Sequence, residues 1–385
     1  MPYLNIHMLQ SFPAANLNRD DTGAPKDVIF GGSRRNRISS QCQKRSIRRH
    51  PAFRMQIEEA GGSLGLRTNR FIDAIAKRLT DAGNDSESSE KIAATVISLA
   101  LGIKLKSDKQ NQTSYLLYLG ENEIEKLVNL ALAHRETLER ISREEKGSKK
   151  DKELEAQKKS IAKEAQAILK DRQKTDALAA DIALFGRMIA DKPEFNVDAA
   201  VQVAHSFGVQ RSVVQTDFYT AVDDLIEESE SGSGMMGIIE FDSACHYRYM
   251  NLNLEQLRHN LGTPNEDLFT ATVCGFVEAA IRAIPTGMQN SFAAQTPPSY
   301  LLISLDEAPL SLANAFEKPI TPTKSGIEHS AIEHLKEYTQ EIRDFLGHAP
   351  IWSLEANFYD KTSLSIPEML RRLRKMPEIS PQKES

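Results

Sequence analysis

Apolar and polar residues alternate from Tyr3 to Leu9, with Leu4, Ile6 and Met8 on one side, which predicts an opening strand. Residues 11–38 are rich in Pro, Asn, Asp and Gly and read as a long loop. A short helix is expected from Ser40 to His50, stopped by Pro51. From residue 52 to about residue 178 the pattern is mostly helical. Ile92–Leu105 is apolar enough to lie inside that part, and Leu154, Ile161 and Ile168 form a narrow seam on a highly charged helix. Strand signals return at Asp181–Met188 (DIALFGRM) and Ala199–Val209. Val213 to about Gly237 begins apolar and aromatic and then turns acidic; residues 227–234 (EESESGSG) read as a loop tip. Ile238–Leu252 is β-rich, followed by helices at Leu254–Asn260 and Asn265–Ala283, a strand at Ser299–Leu305, a helix near Ile327–Leu346 and a basic helix at Pro367–Lys375 before a frayed tail. This order predicts an α+β sandwich of the ferredoxin-like or RNA-recognition type with large insertions.

The 385 residues are 40% hydrophobic and 26% charged, a balance that can bury a core in one large domain with insertions or in two to three units. A net charge of −5 argues against nucleic acid as a general partner, yet phosphate contacts depend on the local field rather than the total. Cys42, Cys245 and Cys274 are far apart, and His329 and His334 stand five apart, so no disulfide framework and no metal site are expected. MPYLNIHMLQ lacks a basic leader region, no stretch is apolar enough to span a bilayer, and a cytoplasmic protein is expected.

One segment departs from this acidic average. Between Arg34 and Arg49 stand seven basic residues and no acidic one. Ser39 and Ser40 can cap the following helix, whose Gln41, Lys44, Arg45 and Arg48 share one face, with Cys42, Ser46 and Ile47 toward the other. The Gly31–Gly32 pair allows a sharp turn or a close backbone approach to phosphate. The segment is either a solvated basic face or an anion site, and uncompensated cations in an acidic chain favour the second. Asp20, Asp21 and Asp27 lie in the same stretch. Paired carboxylates can hold Mg²⁺ for phosphodiester cleavage, or they set arginines and form turns. No nucleotide-binding, hydrolase-elbow or zinc-protease motif occurs. A pure scaffold without nucleic acid is the third class, against which the cationic helix face speaks.

LNRDD (17–21), KDVIFGG (26–32) and RRNRISSQCQKR (34–45) resemble the N-terminal signature of the CasC family, the backbone subunits of the type I-E CRISPR Cascade. The likeness continues in DIALFGRM (181–188), FYTAVDDL (218–225), YRYMNLNLEQL (247–257) and PLSLANAFEK (309–318). It implies a right-hand shape: an RNA-recognition/ferredoxin-like palm in three parts (1–50, 179–212 and 241–385), a helical fingers insertion (51–178) and a thumb (213–240). It also implies copies stacked along a CRISPR RNA, target DNA reached through the guide, other Cascade subunits as partners, no membrane, no cofactor and no catalysis. The alternative is a metal-dependent ribonuclease like the backbone subunits of type III complexes. By position, Arg19, Lys26, Ser39, Ser40, Gln41, Lys44, Arg45 and Arg48 are implied at the guide backbone, and Arg187 and Met188 beside the RNA. Met188 either wedges by an unstacked base or is ordinary core. Phe218, Tyr219 and Thr220 either interrupt the base stack or pack inside. Lys158, Lys159 and Lys163 are implied at target DNA, or else are solvated helix positions.

Overall fold

The computed structural model describes residues 2–102, 112–113, 115–143, 152–170, 177–221, 235–262 and 265–376. The acidic loop tip at 227–234 and the tail lie outside the described residues. The strands run in chain order as β1 (Tyr3–Ala15), β2 (Asp27–Phe30), β3 (Ser33–Ile38), β4 (Gly65–Thr68), β5 (Leu117–Gly120), β6 (Val201–Val203), β7 (Ser206–Gly208), β8 (Gln215–Ala221), β9 (Met235–Asn253), β10 (Tyr300–Asp306) and β11 (Trp352–Asn357). Two units divide the chain: Met1–Met55, Val201–Leu254 and Val273–Ser385 form the first, and Gln56–Ala200 with Glu255–Thr272 the second.

The first unit is built on one antiparallel sheet in the order β11-β10-β1-β9-β7-β3-β2, with β6 and β8 also pairing to β9. Both neighbours of β1 are long, in registers such as Tyr3↔Asn253 and Tyr3↔Asp306. Its residues from Leu4 to Gln10 are all buried, so alternation in the sequence marks two covered faces rather than one wet face. One core joins Leu9, Tyr247, Tyr300 and Phe316 to Ile332 and Leu335 of the helix Gly326–Leu346. Another holds Phe12, Leu17, Ile38 and Ala294. The nineteen residues of β9 do two jobs: Asp242–Asn253 pair with β1 inside the sheet, and Met235–Phe241 pair with β8 as a ribbon.

The stretch 11–38, expected as a loop, is largely strand. β1 continues to Ala15, and β2 and β3 form a hairpin closed between Phe30 and Ser33. Gly31 and Gly32 both have positive φ (55° and 68°), the conformation of a tight hairpin turn, and the turn residues gave the stretch its loop-like composition. Ala199–Val209 is two short strands, broken at Ala204 and His205. Pro51 does not end the helical run; after Ser40–Arg48 it opens a second helix, Pro51–Glu59, where a missing N–H costs nothing. The edge strand β11 was not foreseen.

The second unit is mainly helical. Phe71–Asp81, Ser86–Leu101, Glu121–Ala133, Arg135–Arg143 and Lys152–Lys170 enclose Ile75, Leu79, Ile97, Leu127, Ile161 and Leu169. β4 and β5 pair antiparallel, and Leu117 and Leu119 of β5 join that core. DIALFGRM, expected as a strand, is a short helix, Ala180–Phe185, ended by Gly186 at φ 78°. Residues 180–184 are buried on all sides, and such a run carries no period that separates helix from strand. Among the described residues no helix is long and apolar enough to cross a membrane.

Candidate nucleic-acid interface

The three arginines of β3 have three fates. Arg35 is fully buried; its Nη1 donates to the carbonyls of Gly208 and Val209, and its Nη2 to those of Phe316 and Glu317 at 3.0 Å each. It ties the hairpin to β7 and to the turn after Phe316, and is structural. Arg34 pairs with Asp27 across the hairpin. Arg37 donates from Nε to the Asp27 carbonyl at 2.8 Å and meets His205 Nδ1 at 2.9 Å. Gly31 lies against the Glu317 carbonyl so closely that a Cβ would stand 1.7 Å from its oxygen.

The helix Ser40–Arg48 follows directly. Ser39 caps it, accepting from the Cys42 N–H at 3.3 Å. Gln43 and Ile47 are buried, and Gln43 donates to the Ala204 carbonyl at 2.8 Å. That anchoring leaves Gln41 and Arg45 exposed and Ser40, Lys44 and Arg48 half-buried. The expected face is therefore the outer face, although Gln43, not Cys42 or Ser46, supplies the polar anchor. Burial lowers the Lys44 pKa. Burial raises the Cys42 thiol while the charges of Lys26 and Arg45 pull it down, which places both cations in one field. Exposed Arg19 reaches the Met288 sulfur at 3.5 Å. Among the described residues, no carboxylate pairs with Arg19, Lys26, Lys44 or Arg45.

Of the nearby acids, Asp20 and Asp27 are engaged. One Asp20 oxygen accepts from the Thr22 N–H and hydroxyl and from the Ala24 N–H, at 2.8 to 3.0 Å, and the Thr22 hydroxyl leads in holding its carboxyl below the usual range. Asp27 faces Arg34. Among the described residues no three His, Cys, Asp or Glu side chains gather where a metal would be held.

On the ribbon, every residue of β8 is exposed. Phe218 (55% exposed) pairs with Ile238 and Thr220 with Met236, and these share a face. Tyr219 points to the other face and lies on Gly237, where a Cβ would meet its ring at 2.3 Å. Neither aromatic is core, and they do not act as one pair.

In the second unit, Arg187 was expected at RNA but lies inside: its side chain is fully buried, and Nη1 donates to both Glu123 oxygens at 2.8 and 2.7 Å. Its charge is needed to match a buried carboxylate that also accepts from the Gly120 N–H at 2.6 Å. Met188, the next residue, is 80% exposed and is not core. Lys158 is 3.6 Å from Glu155, while Lys159 and Lys163 are exposed one turn apart, opposite the buried Leu154, Ile161, Ala165 and Leu169. Arg37 and His205 of the first unit also belong to the candidate interface, and no motif in the sequence singles them out. Their only signal is register: the pairing that puts Arg37 beside Lys26 and near His205 is invisible in one dimension.

The model of the CT1975-like protein family matches residues 4–375. A chain of a solved "CRISPR RNA-guided surveillance complex, pre-nicking" is 31% identical with a TM-score of 0.78, covering 97% of this chain and 99% of that one. A chain of a "CRISPR RNA-guided surveillance complex" is 26% identical with a TM-score of 0.69 over the same shares. No curated protein matches significantly. Since both the family pattern and the fold run through nearly the whole chain, the protein belongs to the CT1975-like family.

Proposed function

We propose that this protein is a guide-RNA-binding backbone subunit of a Cascade-type CRISPR surveillance complex, of the CasC, type I-E kind, working in the cytoplasm and holding RNA without cutting it. Similarity to chains of CRISPR RNA-guided surveillance complexes supports the setting. The observation that carries the RNA reading is the set of cations Arg19, Lys26, Lys44 and Arg45, matched by no carboxylate among the described residues, around one capped helix in a chain of net charge −5. In this reading the sheet of the first unit is the palm. Its central order, β10-β1-β9 with β6 and β7 beyond, supports a ferredoxin-like palm of the RNA-recognition type. Residues 51–178 are the fingers and 213–240 the thumb, whose β8–β9 ribbon carries a Phe218, Thr220, Met236 and Ile238 face that suits an interrupted base stack. Copies line up along the guide, and target DNA and the remaining subunits are met through that assembly. Asp20 and Asp27 support binding rather than cleavage, since both are already engaged in a turn and an ion pair.

The test is binding of a labelled CRISPR RNA, with and without Mg²⁺, to the parent and to Lys44→Ala/Arg45→Ala/Arg48→Ala. The parent should bind and leave the RNA intact. The triple variant should lose most affinity, with a slope of log affinity against log salt smaller by about 0.7 for each phosphate contact removed. Equal binding by both would sink the helix assignment. Cleavage in Mg²⁺ that Asp27→Ala stops would replace the reading with a nuclease.

A further inference from the structure

Lys26, Arg37 and His205 meet where neighbouring strands of the first unit end. Arg37 gives its backbone N–H to the Lys26 carbonyl at 2.8 Å, extending the hairpin one step beyond Asp27↔Asn36. On its other side Arg37 is in register with Phe207, and Ile38 with Ser206, so His205, in the turn between β6 and β7, lies one step along. The contact of Arg37 Nη1 with His205 Nδ1 at 2.9 Å fixes the chemistry. A guanidinium only donates, so Nδ1 accepts, the ring proton sits on Nε2, and the imidazole is neutral. His205 is exposed and Arg37 half-buried. Among the described residues, the Lys26 ammonium, Arg37 Nη2 and His205 Nε2 have no protein acceptor.

Among the described residues no carboxylate balances this group. Asp27 turns its carboxylate to Arg34 and offers Arg37 only its carbonyl. The charges acting on His205 are those of Arg37 on β3 and Lys26 before β2. The capped helix contributes the neutral Gln43 amide, bonded to the neighbouring Ala204 carbonyl, and β9 contributes the Tyr249 carbonyl to the Ala204 N–H. Three neighbouring donors, with no acceptor among the described residues, suit a singly charged group with two exposed oxygens, which is what a phosphodiester presents.

We propose that Lys26, Arg37 and His205 form one subsite for a phosphodiester of the bound RNA, and that filling it draws a proton onto His205. The inference rests on the RNA-binding reading above and adds residues and a proton that reading does not contain. Without RNA, partial burial and the charges of Arg37 and Lys26 hold His205 below its usual 6.5. A phosphate beside the ring opposes both charges and raises the pKa. Protonation at Nδ1 also removes the acceptor that held Arg37 Nη1, which then turns to the phosphate. The sign follows. The bound state takes up protons, so affinity is flat well above the bound-state pKa and rises as pH falls through it, by at most about tenfold per pH unit for one proton.

The experiment is anisotropy of a labelled single-stranded RNA with the full chain at constant ionic strength, from about pH 8 down to about pH 5.8. The parent should tighten several-fold toward acid. His205→Gln, which keeps an acceptor for Arg37 but cannot take up a proton, should give a flat profile, and His205→Lys should bind more tightly than the parent at the alkaline end and also stay flat. Arg37→Gln should weaken binding and flatten the profile. A parent that binds RNA with a flat profile, or a His205→Gln profile parallel to the parent's, overturns the subsite and leaves the guide-binding reading standing. A parent that binds no RNA at any pH overturns the guide-binding reading and the subsite with it.

Discussion

Seven cations between Arg34 and Arg49 look alike in the sequence, yet their environments separate them. Arg35 is closed off by four carbonyls, Arg34 is matched by Asp27, and Arg37 joins a histidine. Lys44 and Arg45 stay at the surface because Gln43 and Ile47 hold the other side of their helix. The same sorting applies to Arg187, which balances Glu123 inside the second unit. Removing one member of a buried pair leaves the other charge unmatched, so Arg187→Met should cost about 3–5 kcal/mol in urea unfolding. Arg187→Met/Glu123→Leu should recover part of that loss, and only part, since Glu123 also caps the Gly120 N–H. A single variant as stable as the parent would show that the pair does not hold the unit together.

At the scale of elements, the β2–β3 hairpin depends on its turn. Gly32 has open space where a Cβ would go, whereas at Gly31 the Glu317 carbonyl occupies that space. Gly32→Ala should therefore cost only the left-handed backbone conformation, roughly 1–2 kcal/mol. Gly31→Ala carries the same cost and must also push the hairpin off the turn that Arg35 binds. Its melting temperature should fall below that of Gly32→Ala, and its RNA affinity should drop although no charge is lost. Equal melting temperatures would mean that the hairpin moves freely relative to Glu317. The ribbon shows how pairing assigns roles. Because Phe218 and Tyr219 are adjacent on a strand they face opposite ways, and Gly237 accepts the Tyr219 ring.

For the whole molecule, a net charge of −5 coexists with a local cationic face; on the RNA-binding reading, long-range attraction is modest and short-range phosphate contacts decide binding. On the backbone-subunit reading, assembly on a strand is open-ended and contacts between copies are head-to-tail. Mass photometry on guides of increasing length should show particle mass rising in steps of one protein. Particles of constant mass without RNA, unchanged by guide length, would contradict it.

By itself the sequence determined the element types where the period was strong or the signal local: the opening strand, the β-rich Ile238–Leu252, the helices at 254–261, 266–282 and 326–346, the Ser39 cap and the cationic helix face. Each depends on neighbours a few residues apart, which a chain displays directly. Where burial was complete, as at Ala180–Leu184, apolar residues occupied every position and erased the period, so helix read as strand. Turn residues likewise made the hairpin at 27–38 read as loop. Only the tertiary structure decided which cations face outward. Strand register brings Arg37 to His205, and the packing of helices and turns brings Arg35 to Phe316 and Arg187 to Glu123, across 168, 281 and 64 positions. Pairing over such separations is set by the packing of whole elements, and no local pattern carries it.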